Sequence, residues 1–201
     1  MTGDSGEGIP QAVAAALLLL VSGTVVQAAE ADADPAAEAQ NVVAELARTL
    51  GQAMQQAMAS GGPAAAIEVC RDRAPALTSE LSRRHGWRIT RVGTRVRNPL
   101  LGTPDAWEQQ VLADFERRRQ AGEPLKNMAF HAVVEEPAGP QFRYMKAIGV
   151  QPLCLTCHGD PAAIPDPVRA VLAREYPHDA ATGYRAGDLR GAFSVKRAMQ
   201  P

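Results

Sequence analysis

The spacing of apolar residues changes once along this chain, near Gly86, and that change limits the fold more than any other feature. Upstream, from about Ala37 to Ser60, Val42, Val43, Leu46, Leu50, Met54 and Met58 recur at three- and four-residue steps. That is the pattern of one helical face, read as core packing. Gly61-Gly62-Pro63 ends this helix. A second runs from Pro63 to His85 with Cys70, Ala74, Leu77 and Leu81 on one stripe. Pro75 falls inside it, where a proline breaks or kinks a helix, and Gly86 is placed to stop it.

Downstream the period shortens. "WRITRVGTRVRNP" is rich in β-branched residues in near alternation and predicts a strand from Trp87 into a loop at Asn98-Pro99. The next segment is a helix with clear ends: Thr103 or Asp105 as N-cap, Pro104 in the first turn, Gly122 after the last, and Trp107, Val111 and Phe115 as its inner face. "NMAFHAVVEE" and "QFRYMKAIGV" flank "PAGP" and predict an antiparallel hairpin. A short helix ("DPVRAVLAREYP"), a loop ("HDAATGYRAGD") and a strand ("RGAFSVKRA") complete the order. Helices first, then an antiparallel sheet with helical insertions, is α+β. The aromatic residues are few, with four Phe, three Tyr and two Trp, so Leu, Val, Ala and Met must build the core.

The N-terminus predicts the compartment. Residues 9–26 are nearly all apolar, and the small residues of "VVQAAEADADP" suit cleavage after Ala28. The organisation expected is a signal peptide over 1–28, a flexible spacer over 29–36 and one domain over 37–201. Asp4 and Glu7 stand where a leader ordinarily carries Lys or Arg. The alternative, a retained membrane anchor, needs a run of roughly 20 apolar residues. Either reading sends the domain outside the cytoplasm, into a periplasm-like space. A formal net charge of −1 gives no electrostatic reason to expect nucleic acid or an anionic membrane surface as partner.

Immediately after the hairpin stands Cys154-Leu155-Thr156-Cys157-His158. Cys-x-x-Cys-His is the attachment string for c-type haem. Its two thiols form thioethers with the haem vinyl groups, and the adjacent imidazole reaches the iron. Attachment takes place outside the cytoplasm, in agreement with the leader. A thioredoxin-like redox pair would require a βαβ setting, a structural zinc site about four ligands, and a plain disulfide would leave His158 idle. One motif predicts one covalent haem c with His158 as an axial ligand. For the second axial position the residues offer Cys70, Met128, Met145, His131, His85 and His178. Cys70 is the odd thiol of an exported chain, on the apolar stripe of a helix, and reads equally as a ligand or as a small buried hydrophobe. His131 reads as a strand-face residue, His85 as a helix-end residue, and His178 as loop.

"AIEVCRDRAPALTSEL", "TRVRNPLLGTPDAWEQQVLADFE", "YMKAIGVQPLCLTCHG" and "GDLRGAFSVKR" together resemble the landmarks of a family of exported single-haem c-type proteins, long catalogued as a domain of unknown function. The resemblance spans about Asn41 to Arg197. It implies a PAS-like sheet preceded by helices, and a haem held by the motif histidine and a cysteine of an N-terminal helix. By position these are His158 and Cys70. It also draws attention to Arg97-Asn98-Pro99, with Arg95 or Arg97 as a propionate partner and a structural loop as the competing reading. A thiolate ligand stabilises ferric iron, so this pair implies a low potential. With both axial positions filled, the expectation is a protein that is not an enzyme. It is either a sensor of redox state or of a diatomic gas, or an electron-transfer cytochrome. Each would act through a separate signalling or redox partner protein.

Overall fold

The computed structural model describes residues 2–3 and 34–199. Apart from residues 2–3, the expected signal peptide, with its cleavage site and most of the spacer, lies outside them. Among the described residues no helix is long and apolar enough to cross a membrane.

Helix α1 (Pro35–Glu68) starts two residues before the expected boundary, because Asp34 caps it by accepting from the Ala36 amide and Pro35 occupies the first turn. It kinks at Gly62, whose φ of 68° lies in the left-handed region, and Pro63 reopens the helix at once. The predicted ending is therefore a kink. A π-helical turn (Val69–Arg73) follows, then α2 (Ala74–His85), closed by left-handed Gly86.

Strand β1 (Arg88–Gly93) is shorter than expected; after it the chain bends and forms a short helix α3 (Pro99–Gly102). Helix α4 (Ala106–Gln120) begins at Asp105. The Asp105 carboxylate accepts from the Glu108 amide while Glu108 accepts from the Asp105 amide, a reciprocal cap of the kind that stabilises by about 1 kcal/mol. The hairpin is β2 (Ala129–Glu136) and β3 (Gly139–Gly149); α5 (Leu155–His158), α6 (Asp166–Glu175) and β4 (Leu189–Ala198) complete the chain.

The four strands form one antiparallel sheet in the order β1-β4-β3-β2. Alternation along β3 divides the core. Phe142 and Tyr144 pack with the α1–α2 pair, against Leu46, Leu81 and Trp87. Met145 and Ala147 pack with α4, against Val111 and Phe115. Trp87 meets Phe142 edge-on at 5.9 Å, and its indole donates to Glu38 at 2.8 Å. Burying a side chain of this size stabilises by about 2–3 kcal/mol. Gly191 marks the closest approach in the sheet, where a Cβ would stand 2.0 Å from the Val92 carbonyl oxygen. The result is the α+β, PAS-like architecture expected, with the helix pair ahead of the sheet.

Candidate functional site

A cavity of about 540 Å³ is bounded by the end of α1, the π turn and α2, by β1 and by the segment after β3. Sites for small molecules and cofactors range over about 300–1,000 Å³. Cys70, Cys154, Cys157 and His158 all line it. Cys70 is contributed by the π turn, Cys154 by a 3-10 turn that continues into α5, and Cys157 and His158 by α5 itself. All three cysteines are free thiols. Burial pushes the Cys157 thiol up, opposed by Arg97 and reinforced by the neighbouring Cys70 and Cys154.

His158 is the best oriented group of the site. Its Nδ1 donates to the Ala181 carbonyl at 2.6 Å, which leaves Nε2 as the nitrogen with a lone pair. This is the arrangement that fixes the tautomer of a ligating histidine. Burial, helped by Arg97 and Arg190, lowers its pKa to about 3, so the ring is neutral at any ordinary pH. The acceptor is itself held: the Ala181 amide donates to Asp179 at 2.7 Å, and Asp179 pairs with Arg97 at 2.9 Å. Arg97 also donates to the Cys157 carbonyl. Tyr184 closes the other side, its amide donating to the His158 carbonyl at 3.0 Å and its ring edge-on to the imidazole.

The charge lining the cavity is one-sided. Arg71, Arg91, Arg97 and Arg190 line it, and among the described residues no Asp or Glu does. Arg71 is paired with Asp72 and Glu175, and Arg97 with Asp179. Among the described residues Arg91 and Arg190 have no carboxylate within ion-pair distance. Arg190 donates to the Arg95 carbonyl at 2.9 Å and stacks over Tyr184, and burial pulls its pKa below the ordinary value. Two thiols and a neutral imidazole at an apolar cavity with uncompensated guanidiniums suit a large, flat, apolar group that carries carboxylates. Haem is such a group.

The other axial candidates are elsewhere. Met128 and Met145 are fully buried beneath α4. His131 is exposed and stacks on Phe142. His85 faces Glu45 at 3.5 Å, and His178 is exposed. None of the five lines the cavity. Two corrections follow. Met54 and Met58 are half-buried and line the cavity instead of filling the core. Arg95 turns away, donating to the Thr182 carbonyl and covering Tyr184, while Arg97 is occupied by Asp179. Among the described residues no group of three or more His, Cys, Asp or Glu is arranged to hold a bare metal ion. Sequence reasoning missed Arg91, Arg190 and Asp179. An arginine three residues before Phe193 in a strand of apolar residues was the one available signal.

Comparison with known proteins gives a family and a fold. No curated protein matches the chain. Among solved structures, the crystal structure of the cyanobacterial heme-protein Tll0287 superposes with a TM-score of 0.61 at 25% identity, covering 84% of this chain and 98% of that one. The model of the Tll0287-like family matches residues 24–197. That range takes in the helix pair, the Cys-x-x-Cys-His segment and nearly the whole sheet, and the chain belongs to the Tll0287-like family.

Proposed function

We propose that this protein binds one haem c in the cavity, through thioethers to Cys154 and Cys157, with His158 and Cys70 as axial ligands. The observation that carries this reading is the convergence of those four side chains, from two separate parts of the chain, on one cavity to whose wall no Asp or Glu among the described residues contributes. Haem supplies a one-electron redox centre and an affinity for diatomic gases. The protein's own groups do the rest. Ala181 holds the imidazole through Nδ1, the Arg97–Asp179 pair fixes the motif helix, and Arg91 and Arg190 would pair with the propionates. Attachment of this kind is made outside the cytoplasm, so the protein is read as exported, and with protein side chains at both axial positions its role is not catalytic.

Of the two roles, sensing is favoured, because β1 and β4 supply part of the cavity wall through Val92, Gly93 and Arg190. A change of ligation there acts directly on the sheet. Electron transfer is the second reading, supported by Leu101 and Leu153, which line the cavity and are 55% and 46% exposed, so that one edge is open to a partner. Covalent attachment is tested by acid-acetone extraction of protein matured with the cytochrome c machinery. The colour stays with wild type and is lost from Cys154→Ala/Cys157→Ala; extractable haem in wild type overturns the reading. Carbon monoxide separates the roles. Rapid binding to the reduced protein supports the sensor, and none supports the carrier.

A further inference from the structure

Cys70 stands on the π-helical turn Val69–Arg73, and Pro75 follows two residues after that turn. The two facts are connected by backbone chemistry. In a regular α-helix the ring of Pro75 would collide with the carbonyl of Arg71, four residues earlier, and that carbonyl would have no N–H to accept. Widening the turn removes the conflict. The Ala74 amide then reaches back five residues, to the Val69 carbonyl, and Pro75 becomes an early residue of α2, where a missing N–H costs least.

The wide turn also sets which side chains reach the cavity. Ile67, Arg71, Pro75 and Ser79 all line it, at successive four-residue steps. A regular helix advances about 100° per residue, so each such step drifts about 40° and three of them about 120°. One extra residue in the π turn returns about 100° of that drift. The wall formed before the turn therefore continues after it, and Cys70 remains on this wall together with Ala74 while Leu81 stays buried on the core side.

We propose that Pro75 is a positioning residue: by imposing the π turn it sets the rotation that presents Cys70 to the cavity. The proposal rests on the reading of Cys70 as an axial ligand. Pro75→Ala restores the N–H and removes the ring, so the turn relaxes to α-helix and the residues on its two sides rotate about 100° relative to one another.

The test compares Pro75→Ala with Cys70→Ala in the haem-loaded protein, and Pro75→Ala with Pro75 in a Cys154→Ser/Cys157→Ser background where Cys70 is the only thiol. Pro75→Ala is expected to keep covalent haem and full helical circular dichroism and to lose the sulfur-to-iron charge-transfer bands of the ferric spectrum. In the haem-free background it is expected to change the rate at which a maleimide labels Cys70. Unaltered bands and an unaltered labelling rate overturn the proposal. So does a Pro75→Ala protein that fails to fold, since alanine favours the helix and failure would give Pro75 a general structural role. If Cys70→Ala retains the wild-type ferric spectrum, the ligand reading itself falls, whatever Pro75→Ala does, and the labelling rate still decides whether Pro75 sets the turn.

Discussion

Two regions of this molecule bury or half-bury arginine side chains, and they treat them in opposite ways. Beneath α4, Arg143 is 4% exposed and surrounded by acceptors: Asp105 at 2.6 Å, Glu136 at 3.1 Å and Glu108 at 3.4 Å. Its plane covers Trp107, Ser194 donates to Glu108, and Lys196 completes the set against Glu136. In the cavity, Arg91 and Arg190 have no carboxylate within ion-pair distance among the described residues, and burial pulls Arg190 away from its ordinary pKa. A buried charge must be met by something. The α4 region meets it with the protein's own groups. The cavity leaves it for a ligand.

The largest expected effect lies in the self-sufficient region. Arg143→Leu leaves the buried Glu108, with the more exposed Asp105 beside it, without the shared guanidinium, and it should lower stability by about 3 kcal/mol in urea titration. A loss below about 1 kcal/mol would mean that the network is not the closed unit described. Next comes the Arg97–Asp179 pair, whose side chains are only about a tenth exposed. Asp179→Asn should cost about 3 kcal/mol and also loosen His158, seen as a shift of the ferric haem toward high spin. A stability loss with an unaltered spectrum would separate the pair from the imidazole.

Arg190→Gln sharpens the comparison by its sign. In haem-free protein it removes a desolvated charge and should raise stability by on the order of 1 kcal/mol. In the haem-loaded protein it should lower stability, because a propionate loses its partner. The same sign in both forms would contradict the proposed role of the cavity arginines.

The remaining effects are those of pH. Burial raises the pKa of Asp105, but the Glu108 amide and Arg143 outweigh it, so its folded pKa lies below the ordinary 3.8. Its contribution is present above that value and is lost as the pH falls below it. His158 is the opposite kind of group. Its folded pKa of about 3 lies below the unfolded 6.5, so only the unfolded chain takes a proton between those values. Haem-free protein should therefore lose stability as the pH falls from 6.5 toward 3. Urea midpoints of wild type and His158→Gln across that range test this: if the two decline in parallel, the imidazole is not the group responsible.

Much of this architecture was legible in the sequence where the signal is local. The change of period at Gly86, the Asp105 cap, the hairpin about "PAGP" and the placing of Cys70 on a helical stripe all depend on residues close in the chain. The remainder is set by partners that are distant or absent from the pattern. Met54 and Met58 show the spacing of a core stripe because a cavity wall and a core demand the same apolar period. Arg91 and Arg190 look like solvent-facing strand residues until β1 and β4 are laid side by side. The π turn leaves no periodic mark beyond Pro75, which reads as an ordinary helix breaker. β1 ends at Gly93 because the Thr94 hydroxyl turns to Tyr184 and the Leu189 carbonyl, a contact across about half the chain.

The strand order β1-β4-β3-β2 also has a consequence in time. β4 fills the gap between β1 and β3, yet it follows both in the sequence, and its partners in β1 are some hundred residues earlier, as in Arg88 with Lys196. Pairings at such separation are late events in folding, because the loop must close before any contact rewards it. A chain that emerges from its N-terminus during synthesis or export thus presents Cys154 and Cys157 before Arg190 exists to complete the wall behind them. The order of strands holds the cavity open during the interval in which its cysteines are first within reach of other molecules.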